Sequence, residues 1–245
     1  LPKELLQQDC VISLSKMKTH ALERITGAVK NSYGFVYGFH KAKGHTQYPS
    51  ADSFARMLID LNKCVAPKLY VMDGIVAMEG NGPGSGDPVP MNVLLMSTDP
   101  VALDSVFSRL VYLKPEMVPT NYHGEKMGLG TWKEEEITLL TPDGEISMAE
   151  AVKKYGNPAF NVDRTEVRKN IWTRMAGALN IFQKKPYIEA DKCVRCGICV
   201  QSCPVPGKAV DFRKGKGKPP VYDYRKCIRC FCCQEMCPKK AIKVK

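Results

Sequence analysis

The sequence of 245 residues contains no apolar run near the ~18 residues that a membrane-spanning helix requires. Its first 185 residues contain only two cysteines, Cys10 and Cys64. Secreted proteins that depend on disulfides carry cysteines throughout a short chain, so this distribution argues against a disulfide scaffold. The chain begins Leu-Pro-Lys-Glu and shows no signal peptide. We therefore expect a cytoplasmic protein of a reducing compartment, with no membrane segment.

Acidic residues are scarce at the C-terminal end of the chain. Residues 186–245 carry 14 Lys and Arg against 5 Asp and Glu, whereas residues 1–185 carry 22 against 20. A basic region can bind nucleic acid, but these basic residues lack the interleaved aromatic side chains on which bases stack. We expect instead that the lysines of residues 212–220 and 237–245 are solvated and can dock an acidic electron-transfer partner.

The remaining nine cysteines lie between residues 193 and 237. Eight of them form two copies of the spacing C-x-x-C-x-x-C-x-x-x-C-P, in CVRCGICVQSCP (193–204) and CIRCFCCQEMCP (227–238). Each copy is followed by a short strand-like tail, AVDF in the first and AIKV in the second. This duplication predicts two half-domains related by a pseudo-twofold axis.

This spacing is typical of proteins that bind two [4Fe–4S] clusters. The C-x-x-C-x-x-C run supplies three thiolates to one cluster, and the later cysteine before proline ligates the other cluster. The proline ends the local helical turn and helps to direct that fourth cysteine outward. The predicted ligands are Cys193, Cys196, Cys199 and Cys237 for the first cluster, and Cys227, Cys230, Cys233 and Cys203 for the second.

Other uses of these cysteines fit the spacing less well. Structural zinc usually takes paired C-x-x-C units and has no need of a third cysteine in each run. Disulfides across such short loops would be strained. Cys232 falls outside the repeated spacing, and we interpret it, like Cys10 and Cys64, as a small core residue.

The first 165 residues show alternating strand and helix patterns. Three segments are predicted as strands, namely DCVISLS (9–15), KLYVMDGIV (68–76) and MNVLLMS (91–97). Helices are predicted for THALERITGAVKNSYG (19–34, whole or broken), SADSFARMLIDLNKCV (50–65, with Ser50 or Asp52 as its cap), Pro100 to about Leu113, and residues 147–155. The glycine-rich and aromatic segment 34–50 is predicted as an ordered loop.

This order of elements predicts an α/β fold, a partly parallel sheet with flanking helices. A small α+β ferredoxin-like two-cluster domain follows it. The predicted boundaries are residues 1–165 for the α/β domain, 166–185 for a connecting helix or linker, and 186–245 for the two-cluster domain.

Polar side chains follow the predicted strands of the larger domain. Residues at strand ends in an α/β sheet converge on one crevice. Lysines, histidines and carboxylates that meet there can bind a small anionic ligand or a divalent metal. The candidate residues are Lys16, Lys18, His20, Lys30, His45, Asp73 and Glu79.

Structural roles compete with this interpretation of the crevice. Lys16 and Lys18 alternate along a strand-like sequence and could simply face solvent. The loop EGNGPGSGDP (79–88) matches neither a P-loop nor a dinucleotide-binding motif, so a turn that needs positive φ explains it as well as a ligand cradle does. Asp99 before Pro100 is explained by helix capping. The wide spacing of the histidines and carboxylates is a weak signal for metal.

The segments ISLSKMKTHALERITGAVKNSYG, VMDGIVAMEGNGPGSGDP and STDPVALDSV resemble the domain-of-unknown-function family 362. The resemblance covers most of residues 9–130, and family members commonly carry a two-cluster bacterial ferredoxin domain at the C-terminus. It implies that the Lys/His stretch and the Glu-Gly-Asn-Gly-Pro loop share a site. Because the family's activity is not established, the resemblance implies a fold and no reaction. Family members usually have an upstream half, which we expect to be missing from this chain.

The leading hypothesis is an iron–sulfur electron-transfer protein, whose two clusters pass electrons to a partner or to a site in the α/β domain. One alternative is a reductase, or an activator of a cofactor enzyme, that acts on an unknown substrate. Its crevice would use His20 or His45 as acid, and Lys16, Lys18 and Lys30 to bind an anion. A second alternative is a protein-docking module in which the clusters are only structural.

Overall fold

The chain forms two compact units. A computed structural model describes residues 1–36, 39–166 and 184–245. The units comprise Leu1–Asp163 and Arg164–Lys245. Residues 167–183 of the predicted connecting helix or linker lie outside the described residues. Within the described part of the chain, no helix is long and apolar enough to span a membrane.

The first unit is built on a mixed sheet of four strands, in the order β2-β1-β3-β4. These strands are β1 (Ile12–His20), β2 (Arg24–Thr26), β3 (Leu69–Glu79) and β4 (Asp87–Ser97). β1 and β3 run parallel, whereas β1–β2 and β3–β4 are antiparallel pairs. The predicted partly parallel sheet is thus confirmed, and the carboxyl ends of β1 and β3 lie at one edge of it.

Helices and one small hairpin complete this unit. The helices are α1 (Ala28–Asn31), α2 (Phe39–Gln47), α3 (Ala51–Val65), α4 (Pro100–Leu110), α5 (Pro119–Lys126) and α6 (Met148–Tyr155). The hairpin pairs β5 (Leu139–Thr141) with β6 (Gly144–Ile146). The predicted caps of two helices are present: the Ser50 hydroxyl accepts the N–H of Ser53, and Asp99 accepts the N–H groups of Val101 and Ala102.

Among the residues that the structure describes, the helices pack on one face of the sheet. Met17 and Met72 of the strands lie in one buried cluster with Phe107 and Leu110 of α4. A second cluster joins α1, α3 and the start of α4. The opposite face is apolar but exposed, and its largest side chains are Ile12, Leu14, Leu94 and Met96.

Two predictions for this unit are wrong in detail. The segment 19–34, predicted as a whole or broken helix, contains β2, then the short helix α1 and most of a 3-10 turn (Ser32–Phe35). The backbone turns because the Nδ1 atom of His20 accepts the N–H groups of Leu22 and Glu23, at 3.1 Å each. The segment 34–50, predicted as a loop, contains α2. Tertiary packing supports that helix, because the His45 ring stacks on Phe54 at a centroid distance of 4.6 Å.

The second unit repeats one pattern twice. Its strands are β7 (Pro186–Ile188), β8 (Val210–Asp211), β9 (Val221–Tyr222) and β10 (Ile242–Val244), and its helical turns are α7 (Ile198–Gln201) and α8 (Cys232–Glu235). β7 pairs with β10 and β8 with β9, both antiparallel. The same left-handed backbone recurs at equivalent positions, with φ of 59° at Arg195 and 56° at Arg229. Each half therefore places its cysteine run in the same loop conformation.

Candidate metal centres

The second unit contains two cavities that divide the eight repeated cysteines between them. The first is lined by Cys193, Cys196, Cys199 and Cys237, and the second by Cys203, Cys227, Cys230 and Cys233. Each cavity thus receives three cysteines from one copy of the repeat and one from the other copy. This is the grouping of the two predicted ligand sets, although their role as ligands stays a prediction.

Both cavities open to solvent, and each brings four cysteine thiols together. They measure about 370 and 300 Å³, including space that is open to solvent. Four cysteine thiolates are the donor set that a [4Fe–4S] cluster takes. The residues between the cysteines are mostly apolar, as in the first cavity at Ile188 and Ile242. The residues present therefore fit an iron–sulfur cluster.

Backbone amides donate hydrogen bonds to the fourth cysteine of each cavity. The N–H of Ala209 lies 3.3 Å from Sγ of Cys203, and the N–H of Ala241 lies 3.3 Å from Sγ of Cys237. The two alanines occupy equivalent places after the Cys-Pro of each repeat. Such donors stabilise a negatively charged sulfur ligand.

Tyr222 was not a candidate in the sequence, but its hydroxyl contacts a cysteine of the second cavity. The hydroxyl oxygen lies 3.1 Å from Sγ of Cys233. Burial raises the pKa of the Tyr222 hydroxyl above its ordinary value, and the neighbouring Cys233 raises it further. The hydroxyl therefore keeps its proton at neutral pH and can donate it to a thiolate in a hydrogen bond.

Burial also changes the acidity of the cysteines. It raises the pKa of Cys199 to about 11 and that of Cys233 to about 12. A hydrogen bond with Cys232 lowers the pKa of Cys230 and raises that of Cys232 itself. In the metal-free protein Cys199 and Cys233 are neutral thiols at pH 7, so metal binding must displace their protons.

The three cysteines outside the repeat have different surroundings. Cys232 is partly buried next to Cys230, in agreement with its interpretation as a small packed residue. Cys10 and Cys64 are exposed, so their prediction as core thiols is wrong. Cys10 precedes β1, and Cys64 lies in the last turn of α3, where the amphipathic pattern places it on the outer side.

The predicted crevice residues of the first unit do not all meet. Lys18, His20 and Glu79 lie at the edge where β1 and β3 end. Lys16 and Asp73 are paired residues of β1 and β3 and form an exposed ion pair. The pair lies in the middle of the sheet, away from the strand ends where the crevice was predicted. Its position therefore favours a structural role for both residues.

The other two candidates lie among the helices. Lys30 is in α1, and His45 of α2 packs against Tyr33 and Phe54. The ring contacts of His45 are those of a core histidine.

The glycine-rich loop after β3 packs against the end of β1. The Thr19 hydroxyl donates to the carbonyl of Gly80 at 3.0 Å. A Cβ atom on Gly82 would lie 2.2 Å from the carbonyl oxygen of Thr19, so only glycine permits this approach. Glu79, just before the loop, accepts the N–H of Asn161 at 2.7 Å. The Lys/His stretch and the loop therefore lie together at one edge of the sheet, and the shared site that the resemblance implied stays a prediction.

A buried carboxyl group lies close to this edge. Glu23 is fully buried, and no described residue hydrogen-bonds to either of its side-chain oxygens. Burial raises its pKa well above the usual range, the charge of Lys30 opposes that rise, and Asp52 adds to it. Asp52 in turn contacts the His123 ring at 2.8 Å. Sequence reasoning did not single out Glu23, because its burial depends on α1 and α3 folding over the turn after β1.

Two regions of the chain match known families. Residues 1–109 match the Domain of unknown function (DUF362), and residues 185–238 match the 4Fe-4S dicluster domain. The thylakoid-associated protein sll1697 of Synechocystis sp. is 42% identical over 130 residues, which are 53% of this chain. The matched part spans 40% of the length of that relative. No solved structure matches the chain.

The matches agree with the geometry of the second unit, where eight cysteines surround two cavities. Residues 1–109 are thus similar to DUF362 and residues 185–238 to 4Fe-4S dicluster domains, and the second match supports an iron–sulfur protein.

Proposed function

We propose that this protein is an electron carrier that holds two [4Fe–4S] clusters and passes electrons to a partner protein. The observation that carries the proposal is the grouping of the cysteines, because each cavity takes three from one repeat and one from the other. Two clusters whose ligands are exchanged in this way lie within one small unit. When bound, the clusters supply storage and transfer of single electrons.

The protein's own residues hold and shield the two sites. The first site would be held by Cys193, Cys196, Cys199 and Cys237, and the second by Cys203, Cys227, Cys230 and Cys233. Ile188 and Ile242 line the first cavity, and Val205 and Phe231 line the second. These apolar side chains limit the access of water, and the amides of the repeats donate to the sulfurs. Limited solvent access and such hydrogen bonds are two of the factors that set cluster potentials.

Exposed lysines provide a surface for the partner. Lys214, Lys216 and Lys218 follow the first repeat, and Lys239 and Lys240 follow the second, and all five are exposed. A positive surface speeds the approach of an acidic protein and orients it. We therefore infer that the redox partner presents carboxylates near its own redox centre.

Serine substitution tests the ligand assignment. Cys237→Ser removes a predicted ligand of the first site, whereas Cys232→Ser changes a cysteine of the same segment that is outside the repeat. We expect EPR spectra of the anaerobically reduced Cys237→Ser protein to lose one [4Fe–4S] signal. The Cys232→Ser protein should retain two. Equal loss in both variants, or loss in neither, would contradict the assignment.

A second candidate function is reduction or activation of a small anionic compound at the edge formed by β1 and the glycine-rich loop. The observation that favours it is the fully buried Glu23 close to Lys30, at the end of the strand that carries Lys18 and His20. A neutral carboxyl beside a lysine can donate a proton while the lysine binds an anion.

A third candidate function is a protein-docking module in which the clusters are only structural. It predicts that voltammetry shows no reversible redox signal.

Phosphate is a simple probe for this anion site. We expect calorimetry to detect phosphate binding to the full chain and to detect at least tenfold weaker binding to Lys18→Ala. Lys16→Ala is the matched control, because Lys16 lies two residues earlier on the same strand but pairs with Asp73. If the wild-type protein binds no phosphate, or if both variants weaken binding equally, the anion site is not where we place it.

A further inference from the structure

We propose that Tyr222 makes the second cluster the easier one to reduce, so that an electron entering the pair comes to rest there. This inference rests on the proposed function, because it requires both clusters. It assigns a role to a residue that holds no iron.

The first observation is the contact of Tyr222 with the second site. Its hydroxyl lies 3.1 Å from Sγ of Cys233, and Cys233 is only 7% exposed. A cysteine that ligates iron is a thiolate and has no proton to give. The tyrosine must therefore be the donor in the loaded protein. A hydrogen bond from a neutral donor to a buried anion is stronger than one between neutral groups.

The second observation is that the first site lacks this donor. Tyr222 lies five residues before Cys227, the first cysteine of its repeat, and Ile188 lies five residues before Cys193. Both residues are in short strands that line their cavities. An isoleucine side chain has no hydrogen to donate. At this position the second site therefore has a hydroxyl donor and the first site has none.

The main-chain donors to the fourth cysteines are matched in the two sites, at 3.3 Å for Ala209 and for Ala241. The Tyr222 hydroxyl is thus a donor of the second site that has no counterpart at the equivalent position of the first.

Hydrogen-bond donors favour the reduced cluster. Reduction by one electron adds a negative charge that is shared by the cluster and its sulfur ligands, and a donor to a sulfur stabilises that charge. The site with the additional donor therefore has the higher reduction potential. Moving one electron from the first site to the second makes and breaks no bond, and Tyr222 keeps its proton throughout.

Redox titration of the full chain tests this order. Wild type should show two one-electron steps of different potential, followed by EPR under anaerobic conditions. In Tyr222→Phe we expect the reduction equilibrium constant of the higher-potential step to fall about tenfold, which is about 59 mV. The lower-potential step should stay unchanged.

Two controls separate the possible failures. Tyr187→Phe removes a tyrosine hydroxyl from the equivalent strand of the first half, at a residue that lines neither cavity, and should leave both steps where they are. In Cys237→Ser, which alters the first site, the surviving [4Fe–4S] step should be the higher one. If Tyr222→Phe retains two EPR signals but shifts neither step, or shifts the lower one, the inference is wrong while the proposed function stands. If the wild type itself contains a single cluster, the proposed function fails.

Discussion

At the scale of single residues, two buried carboxyl groups shape the first unit. In the part of the chain that the structure describes, nothing hydrogen-bonds to the side-chain oxygens of Glu23, whereas Asp104 accepts the N–H groups of Ala28 at 2.5 Å and Val29 at 3.1 Å. Both are fully buried. Burial raises the pKa of Asp104 to about 7, although the two amides oppose the rise. Asp104 therefore titrates in the physiological range.

This titration predicts a pH dependence of stability. The folded-state pKa of Asp104 lies above its ordinary value of 3.8, so the folded protein binds this proton more tightly than the unfolded chain does. Its contribution to the free energy of unfolding is complete below about pH 4 and is lost as the pH rises through about 7. We expect the unfolding temperature of the first unit to fall over this range, and to fall less in Asp104→Asn. The same slope in both proteins would contradict the assignment to Asp104.

At the scale of elements, the turn between β2 and α1 depends on α4. Asp104 of α4 bonds the first amides of α1, and a Cβ atom on Gly27 would lie 1.9 Å from its Oδ1 atom. The segment is held by a contact between residues 76 positions apart in the chain. Local sequence therefore does not determine this turn, and the prediction of a helix over residues 19–34 was correct only for its last part.

An alanine pair tests the importance of this turn. Gly27→Ala should destabilise the protein by about 1–3 kcal/mol, because Asp104 must move and weaken its bonds to α1. Gly34→Ala is the matched control, since a Cβ atom there would meet nothing within 4 Å. We expect chemical denaturation to show a loss for Gly27→Ala and no loss for Gly34→Ala. Equal free energies of unfolding for the two variants would contradict this expectation, because the turn would then accept the added Cβ atom without loss of stability.

The parts that the sequence predicted well are those encoded by local spacing. The caps Ser50 and Asp99 and the alternation of strands and helices are local features, and the structure contains them. The cysteine repeat is local as well, and it predicted both cavity groupings. The roles of Tyr222 and Glu23 were not predicted, because they depend on which distant residues pack around these side chains. Cys10 and Cys64 were predicted wrongly for the same reason, since composition does not determine which side of an element faces the core.

At the scale of the whole molecule, the two units carry different amounts of information about function. The second unit has a defined chemistry, because the cysteine grouping, the matched amides and the cavities all fit cluster binding. The first unit has a shared edge and a buried carboxyl group, which favour a ligand site without identifying its ligand. The electron-transfer account therefore depends on the second unit alone.

The most direct test of that account is the iron content of the full chain after anaerobic reconstitution, with Mössbauer spectroscopy to assign the iron. Two [4Fe–4S] clusters predict about eight irons per chain, all in the spectral signature of cubane clusters with thiolate ligands. A content of about four irons would contradict the two-cluster account. Iron-free protein that retains zinc would contradict the redox role altogether.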